Sequence, residues 1–198
     1  MNLIEKATDI IIPIYNAFDD FERCLDSIIR YTDLSKNRLI LIDDASTDNR
    51  IQPYLEKIGT QFYDKNIVVL QHDKNKGFSG SINDGINYAN DSDVLILNSD
   101  TIVTKNWLAK IKSCAYSDCT IATVTPLSNN ATLCSIPEFC QENQLPEGYT
   151  LNEFAQLIEE RSLHLYPVIP VGNGFCMFIK REVIDSVGLF DEETFQRG

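Results

Sequence analysis

The sequence predicts an α/β fold, a doubly wound, mostly parallel sheet flanked by helices. Three observations carry this reading. Short apolar runs alternate five times with stretches of helical periodicity between residues 9 and 125. The runs are continuously apolar rather than alternating, as in strands buried on both faces. Several end abruptly in clusters of Asp, Asn and Ser, at the strand ends where open sheets of this class hold their ligands.

A chain of 198 residues suits one domain. Its net charge of −12 argues against a general nucleic-acid binder, which needs a basic face. A nucleotide ligand stays open, because a metal or a few amides can neutralise a diphosphate locally. No stretch approaches the ~20 apolar residues of a membrane span. The opening residues include Glu5 and Asp9 and no long apolar region, unlike a signal peptide. None of the six cysteines forms a Cys-x-x-Cys pair, and His72 and His164 lie far from any pair, which is poor zinc spacing. Reduced thiols and a cytoplasmic protein are the expectation.

Residues 9–14 are the first strand, rich in isoleucine, with Pro13 expected to stop its ladder. Asp19 stands as a helix N-cap with Glu22 completing a capping box. Phe21, Cys24, Leu25, Ile28 and Ile29 then recur at helical spacing. Residues 39–42 form the second strand, running into Asp43-Asp44-Ala45-Ser46-Thr47-Asp48. A helix over 51–58 follows, with Gly59 as its C-cap, and 67–70 is the third strand. The glycine-rich stretch 75–85 lies between a strand and a helix, where backbone amides can approach a phosphate. It matches neither the dinucleotide fingerprint nor a Walker loop. Residues 94–97 are the fourth strand, ending in Asn98-Ser99-Asp100. A carboxylate there can hold a hard cation against phosphates or simply cap the turn before Trp107. A helix over 107–117 and a strand over 121–125 complete the alternation. The pattern dissolves over 126–149, a functional or mobile loop. Helix returns over 151–164. The Val171-Gly172-Asn173-Gly174 turn leads into a last apolar strand, and a short helix closes at Gly188.

Each polar cluster has a plain alternative: a turn for Pro13-Ile14-Tyr15-Asn16, a helix-capping cluster for Asp43-Asp44, a solvated lysine for Lys76. Their order and spacing, however, resemble the family 2 glycosyltransferases of GT-A fold, over nearly the whole chain. The resemblance rests on Ile12-Pro13-Ile14-Tyr15-Asn16, the 42–48 cluster, Asn75-Lys76-Gly77-Phe78, Leu97-Asn98-Ser99-Asp100, and the segments 174–177 and 187–193. It is most similar to bacterial members that build surface polysaccharides, including the rhamnosyltransferase-like branch.

The resemblance implies a GT-A (Rossmann-like) fold and an inverting hexosyltransferase that uses a UDP- or dTDP-linked sugar and a glycan or lipid-linked acceptor. Pro13, Tyr15 and Asn16 would lie at the nucleotide, and Asp44 would accept from the imide of its base. Lys76 and the amides near Gly77 would approach its sugar or phosphates. Ser99 and Asp100 match the metal motif, whose first acidic position is here Asn98. Asp100 would then hold Mn2+ or Mg2+ together with the diphosphate and water. Gly172, Asn173 and Gly174 would face the acceptor. The family's catalytic base lies in an acidic motif just after the segment matched by 190–193. It is therefore expected beyond Gly198, with Asp191 a weak candidate, and the chain is expected to be part of a larger enzyme. Residues 1–125 would form the nucleotide-binding half of one domain, 126–170 a loop and helix, and 171–198 the acceptor side. Such an enzyme would work in the cytoplasm, at most peripherally at the inner face of the membrane. Two other readings compete: a metal-dependent nucleotidyltransferase, which lacks its basic glycine-rich loop here, and a non-catalytic nucleotide-sugar-binding or scaffolding domain.

Overall fold

The computed structural model describes residues 6–62 and 66–195. In chain order the elements are β1 (Thr8–Ile14), α1 (Phe18–Tyr31), β2 (Arg38–Asp43), α2 (Ile51–Gln61), β3 (Ile67–Gln71) and α3 (Gly77–Ala89). They continue with β4 (Asp93–Leu97), α4 (Trp107–Ala115), β5 (Thr123–Val124), α5 (Leu151–Arg161), β6 (Cys176–Ile179) and α6 (Arg181–Val187). One sheet runs in the order β3-β2-β1-β4-β6-β5. The first four strands are parallel, and β6 runs antiparallel to both β4 and β5.

The continuous apolar runs are explained by helices on both faces of the sheet. Ile10, Ile12, Leu39, Leu41, Leu95 and Leu97 pack with Phe21, Leu25 and Ile28 of α1, Leu55 of α2 and Leu108 of α4. The residues between them, Ile11, Ile40, Ile42, Val94 and Ile96, pack with Ile82 and Ile86 of α3 and Ile184 of α6. Each such side chain, fully withdrawn from water, contributes about 1.5–3 kcal/mol. Strand order steps outward from β1 to β3, then reverses so that β4 lies on the other side of β1. The carboxyl ends of β1 and β4 flank that reversal, the place where open α/β sheets hold their ligands.

Pro13 does not end the strand, which runs through it to Ile14 in register with Asp43. The Ile14 carbonyl accepts from Asp44 N, so alternation turns Pro13 towards β4. The β1–β4 ladder already stops at Ile11 and Ile96, and the missing N–H is not needed. Helix α1 starts at Phe18 behind a left-handed Ala17, without the expected Asp19–Glu22 box; Asp19 and Asp20 instead place charge in its first turn. Helix α2 continues through Gly59 to Gln61.

The expected fifth strand is only two residues, paired through β6. Helix α4 stops at Ala115 and α5 at Arg161; the latter starts with a capping box of Thr150 and Glu153. Between β5 and α5 the chain is irregular but built. Buried Asn143 accepts from Glu138 N through Oδ1 (2.9 Å), and its Nδ2 reaches Ser135 Oγ (2.9 Å) and Glu138 O (2.9 Å).

The amino edge of the sheet is closed by structural pairs. Asp93, fully buried, accepts from Lys6 Nζ (2.8 Å), Arg181 N (2.9 Å) and the Tyr116 hydroxyl. Arg38 holds Asp9 with two guanidinium nitrogens.

Candidate functional site

At the carboxyl edge, Asn16 ties the turn after β1 to the turn after β2. It adopts φ 59°, a left-handed conformation that asparagine tolerates. Its Oδ1 accepts from Thr47 N (2.8 Å) and Asp48 N (2.9 Å), and its own N–H donates to Ser46 Oγ (2.9 Å). Asp43 Oδ1 accepts from Ser46 N (3.0 Å). Asn16 is thus a structural pin, and Tyr15 beside it stands 52% exposed with half-buried Pro13 behind.

Asp44 is 4% exposed and caps α3. Its Oδ1 accepts from Lys76 N (2.7 Å) and its Oδ2 from Gly77 N (2.9 Å). This corrects the reading of 75–85 as an open phosphate loop. The helix begins at Gly77, and the two amides expected to meet phosphate are already given to a carboxylate. Asp44 Oδ2 keeps a further lone pair for an incoming N–H. Gly85 lies inside α3, where a Cβ would come within 2.5 Å of Ile11 Cγ2; glycine lets the helix approach the sheet.

Two residues that the sequence reading did not select join this cluster. His72, the first residue after β3, places Nδ1 2.8 Å from Asp44 Oδ1 and Nε2 2.9 Å from Asp84 Oδ2. Lys76 Nζ lies 2.6 Å from the same Asp84 oxygen. The hydrogen bond to Asp84 raises the Lys76 pKa above its ordinary value despite slight desolvation, and the charges of Asp84, Glu192 and Asp44 add to the rise. An acidic residue on α3 two turns beyond Lys76 was the available signal; its pairing with His72 is tertiary.

After β4, Asn98 N donates to Phe175 O (2.8 Å), and Asn98 O accepts from Thr101 N (3.2 Å) and the Cys24 thiol (3.6 Å). Ser99 is half-buried. Asp100 is exposed, and among the described residues its carboxylate has no hydrogen-bond or ion-pair partner. Burial pushes the Cys24 thiol up to about 12, with the Asp100 charge adding to it. Cys176 is pushed up by burial and by Cys24. Burial thus favours the neutral thiol form of both sulfurs. Among the described residues no group of three or more His, Cys, Asp or Glu is arranged to hold a metal ion. The donors at this turn suit a hard cation that takes one carboxylate from the protein and the rest from a diphosphate and water.

Gly172, Asn173 and Gly174 line a cavity of about 220 Å³ with Thr132, Leu133, Cys134 and Val171. Asn173 N donates to Thr125 Oγ1 (3.1 Å), and a Cβ at Gly174 would lie 3.6 Å from the Phe78 ring at the start of α3. The segment after α6 folds back onto α3. Asn83 Nδ2 donates to Phe190 O (2.8 Å) and Glu192 Oε2 (2.9 Å), while its Oδ1 accepts from Phe190 N (2.9 Å). Asp191 accepts from Thr194 N (2.9 Å), and that backbone hydrogen bond holds its pKa below the usual carboxylate value. Gly198 lies outside the described residues.

The structure thus brings the turns carrying Asn16, Asp44 and Lys76 together around α3 and links Gly174 to the same helix. Asp100 joins them only through the strand-order reversal. Comparison with known proteins places the chain among glycosyltransferases. The chain is 33% identical over 120 residues to the uncharacterized glycosyltransferase YibD of Escherichia coli (strain K12), across 60% of this chain and 33% of that protein. It is 23% identical over 193 residues to glycosyltransferase AglE of Haloferax volcanii, across 96% of this chain and 57% of that one. It therefore spans less than two thirds of either. The mannosyltransferase PcManGT of Pyrobaculum calidifontis, solved with GDP-Man and Mn2+, shares the fold at TM-score 0.67 and 20% identity, over 93% of this chain and 47% of that one. S. aureus TarS 1-349 in complex with UDP does so at TM-score 0.66 and 18% identity, over 94% and 51%. The sequence profile of Glycosyl transferase family 2 matches residues 9–188, and the chain belongs to that family.

Proposed function

We propose that this chain binds a nucleoside-diphosphate sugar at the carboxyl ends of β1 and β4. The larger activity we assign is inverting transfer of a hexose to a glycan or lipid-linked acceptor in polysaccharide synthesis, in the cytoplasm at the inner face of the membrane. The observation that carries the reading is Asp100: an exposed carboxylate, unpartnered among the described residues, at the carboxyl end of β4, where the strand order reverses. The ligands of structural neighbours, GDP-Man with Mn2+ and UDP, support the ligand class.

In this reading Tyr15 and Pro13 offer a face for the base, and Asp44 Oδ2 accepts a hydrogen bond from its imide N–H. Asn16 fixes the wall between them. Lys76 meets the phosphates. Ser99 would lie beside the nucleotide, and Asp100 would hold a divalent cation, which when bound neutralises charge growing on the departing diphosphate. The edge itself is acidic, with Asp44, Asp48, Asp84, Asp100 and Glu192, so an unneutralised diphosphate would be repelled. Gly172, Asn173 and Gly174 leave room for the acceptor. Its hydroxyl must lose a proton as it attacks the anomeric carbon. Asp191 is unsuited to take it, because its pKa moves away from neutrality and its carboxylate holds its own turn.

Calorimetric titration with UDP, dTDP and GDP, each with and without manganese, tests this. One diphosphate is expected to bind in a metal-dependent way, and Asp100→Ala to remove the metal-dependent part while leaving the fold intact. A folded chain that binds none of the three overturns the proposal. A second reading, a nucleotide-sugar-binding domain without transfer, draws on the engagement of Asp191; sugar transfer by the protein that loses activity with Asp100→Ala excludes it.

A further inference from the structure

Lys76 is the cation that the proposed function sets against the phosphates, yet its charge is already matched. Asp84 Oδ2 lies 2.6 Å away, and Glu192 and Asp44 add negative charge around it. Asp84 does not depend on Lys76 alone. The same oxygen faces His72 Nε2 at 2.9 Å, and His72 is fixed in turn by Asp44 through Nδ1 at 2.8 Å. The His72 side chain is 7% exposed, whereas those of Lys76 and Asp84 are 43% and 35% exposed. One half of this arrangement is therefore anchored and the other half is free to move.

We infer that Asp84 is a resident anion that occupies Lys76 until a nucleoside diphosphate displaces it, making Asp84 a specificity-determining residue of the site. This rests on the nucleotide-binding reading above. Displacement exchanges one ion pair for another: Lys76 leaves Asp84 for the diphosphate, and His72 Nε2 stays 2.9 Å from the Asp84 carboxylate. That carboxylate is 35% exposed, so water can meet its open side. A nucleoside without phosphate carries no charge to compete, so the exchange selects for a charged phosphate chain. Long, exposed Lys76 can make the swing by rotating its own side chain, with α3 and its Asp44 cap unmoved.

The test is a double-mutant cycle on the 198-residue chain, titrated calorimetrically with UDP and manganese and, separately, with uridine. Asp84→Asn keeps an oxygen for His72 Nε2 and removes the competing charge. It is expected to tighten UDP binding about two- to five-fold, the size of one part-exposed ion pair, and to leave uridine binding unchanged. Lys76→Met is expected to weaken UDP binding. In the Lys76→Met background the gain from Asp84→Asn is expected to vanish, because the two residues act as a pair. Circular dichroism and thermal melting establish that each variant is folded. Unchanged or weaker UDP binding by folded Asp84→Asn overturns the inference while the nucleotide reading stands. An equal gain without Lys76 overturns it too, since the carboxylate would then be repelling the ligand directly. Absence of UDP, dTDP and GDP binding by the parent chain removes the nucleotide reading, and the inference with it.

Discussion

Asn16 and Gly85 show how much of the site depends on single positions. Replacing Asn16 with Ala leaves the Thr47 and Asp48 amides without their acceptor and puts a Cβ-bearing, non-bonding residue at φ 59°. The expected loss is about 1–3 kcal/mol. Asn16→Gly loses the acceptor but not the conformation, and should unfold later than Asn16→Ala in a urea titration. Equal midpoints would mean that the backbone angle carries no cost here. At Gly85 an added methyl meets Ile11 and Ile42 in a face with no slack. Gly85→Ala should cost about 1–3 kcal/mol by overpacking. For a chain of this size that lowers the melting temperature by about 2–4 °C per kcal/mol. Tyr15 and Asp100 could be read from the sequence because they sit at the ends of unmistakable apolar runs. His72 and Asp84 could not, because their meaning lies in a contact between β3 and α3 that no local pattern encodes.

Elements whose packing face is written in their own residues were legible, and those completed by a distant partner were not. Strands β1, β2 and β4 are continuous isoleucine, leucine and valine because both faces are covered, so their positions could be read directly. The start of α3 could not. Gly77 and Gly80 disfavour helix locally, and the cap that overrides them is Asp44, 32 and 33 residues away. The direction of β6 was equally hidden, since an apolar run carries no sign of parallel or antiparallel pairing. Helix α5 is the opposite case. It buries no residue, and its local signals, the Thr150–Glu153 box among them, do most to hold it. Thr150→Ala should therefore speed amide exchange along α5 about five-fold, the equivalent of a lost cap. The melting temperature of the whole chain should stay put, because α5 adds so little to the core. A fall in global melting temperature would show that α5 is coupled to the core more tightly than its burial implies.

At the scale of the whole molecule, the charge balance, surface carboxylates held by hydrogen bonds, and buried thiols and phenols set a window of stability. Asp33, Asp48, Asp118, Asp191 and Glu153 all have pKa values held down by hydrogen bonds from neighbouring side chains or amides. Unfolding releases them to ordinary values, so around pH 3–4 the unfolded chain binds more protons and stability is lost as pH falls. The alkaline side has the opposite sign. Burial raises the Cys24 thiol from 9.0 to about 12 and the Tyr54 hydroxyl from 10.0 to about 12. Cys176 and Tyr116 are shifted upward too, chiefly by burial. These groups stay neutral in the fold while the unfolded chain loses their protons. Their stabilisation is complete below about pH 9 and is lost as pH climbs towards 12. A chain already carrying a net charge of −12 gains further repulsion in that range. Melting temperature measured from pH 3 to 11 should show a plateau between about 5 and 9, with a fall on each side. Cys24→Ser separates thiol ionisation from charge repulsion. A hydroxyl does not titrate in this range, so the variant, less stable at neutral pH, should lose less on going from pH 8 to 11 than the parent chain. An identical alkaline loss in both would assign the fall to net charge and to the tyrosines, and leave the thiol behind the Asn98-Ser99-Asp100 turn without a part in it.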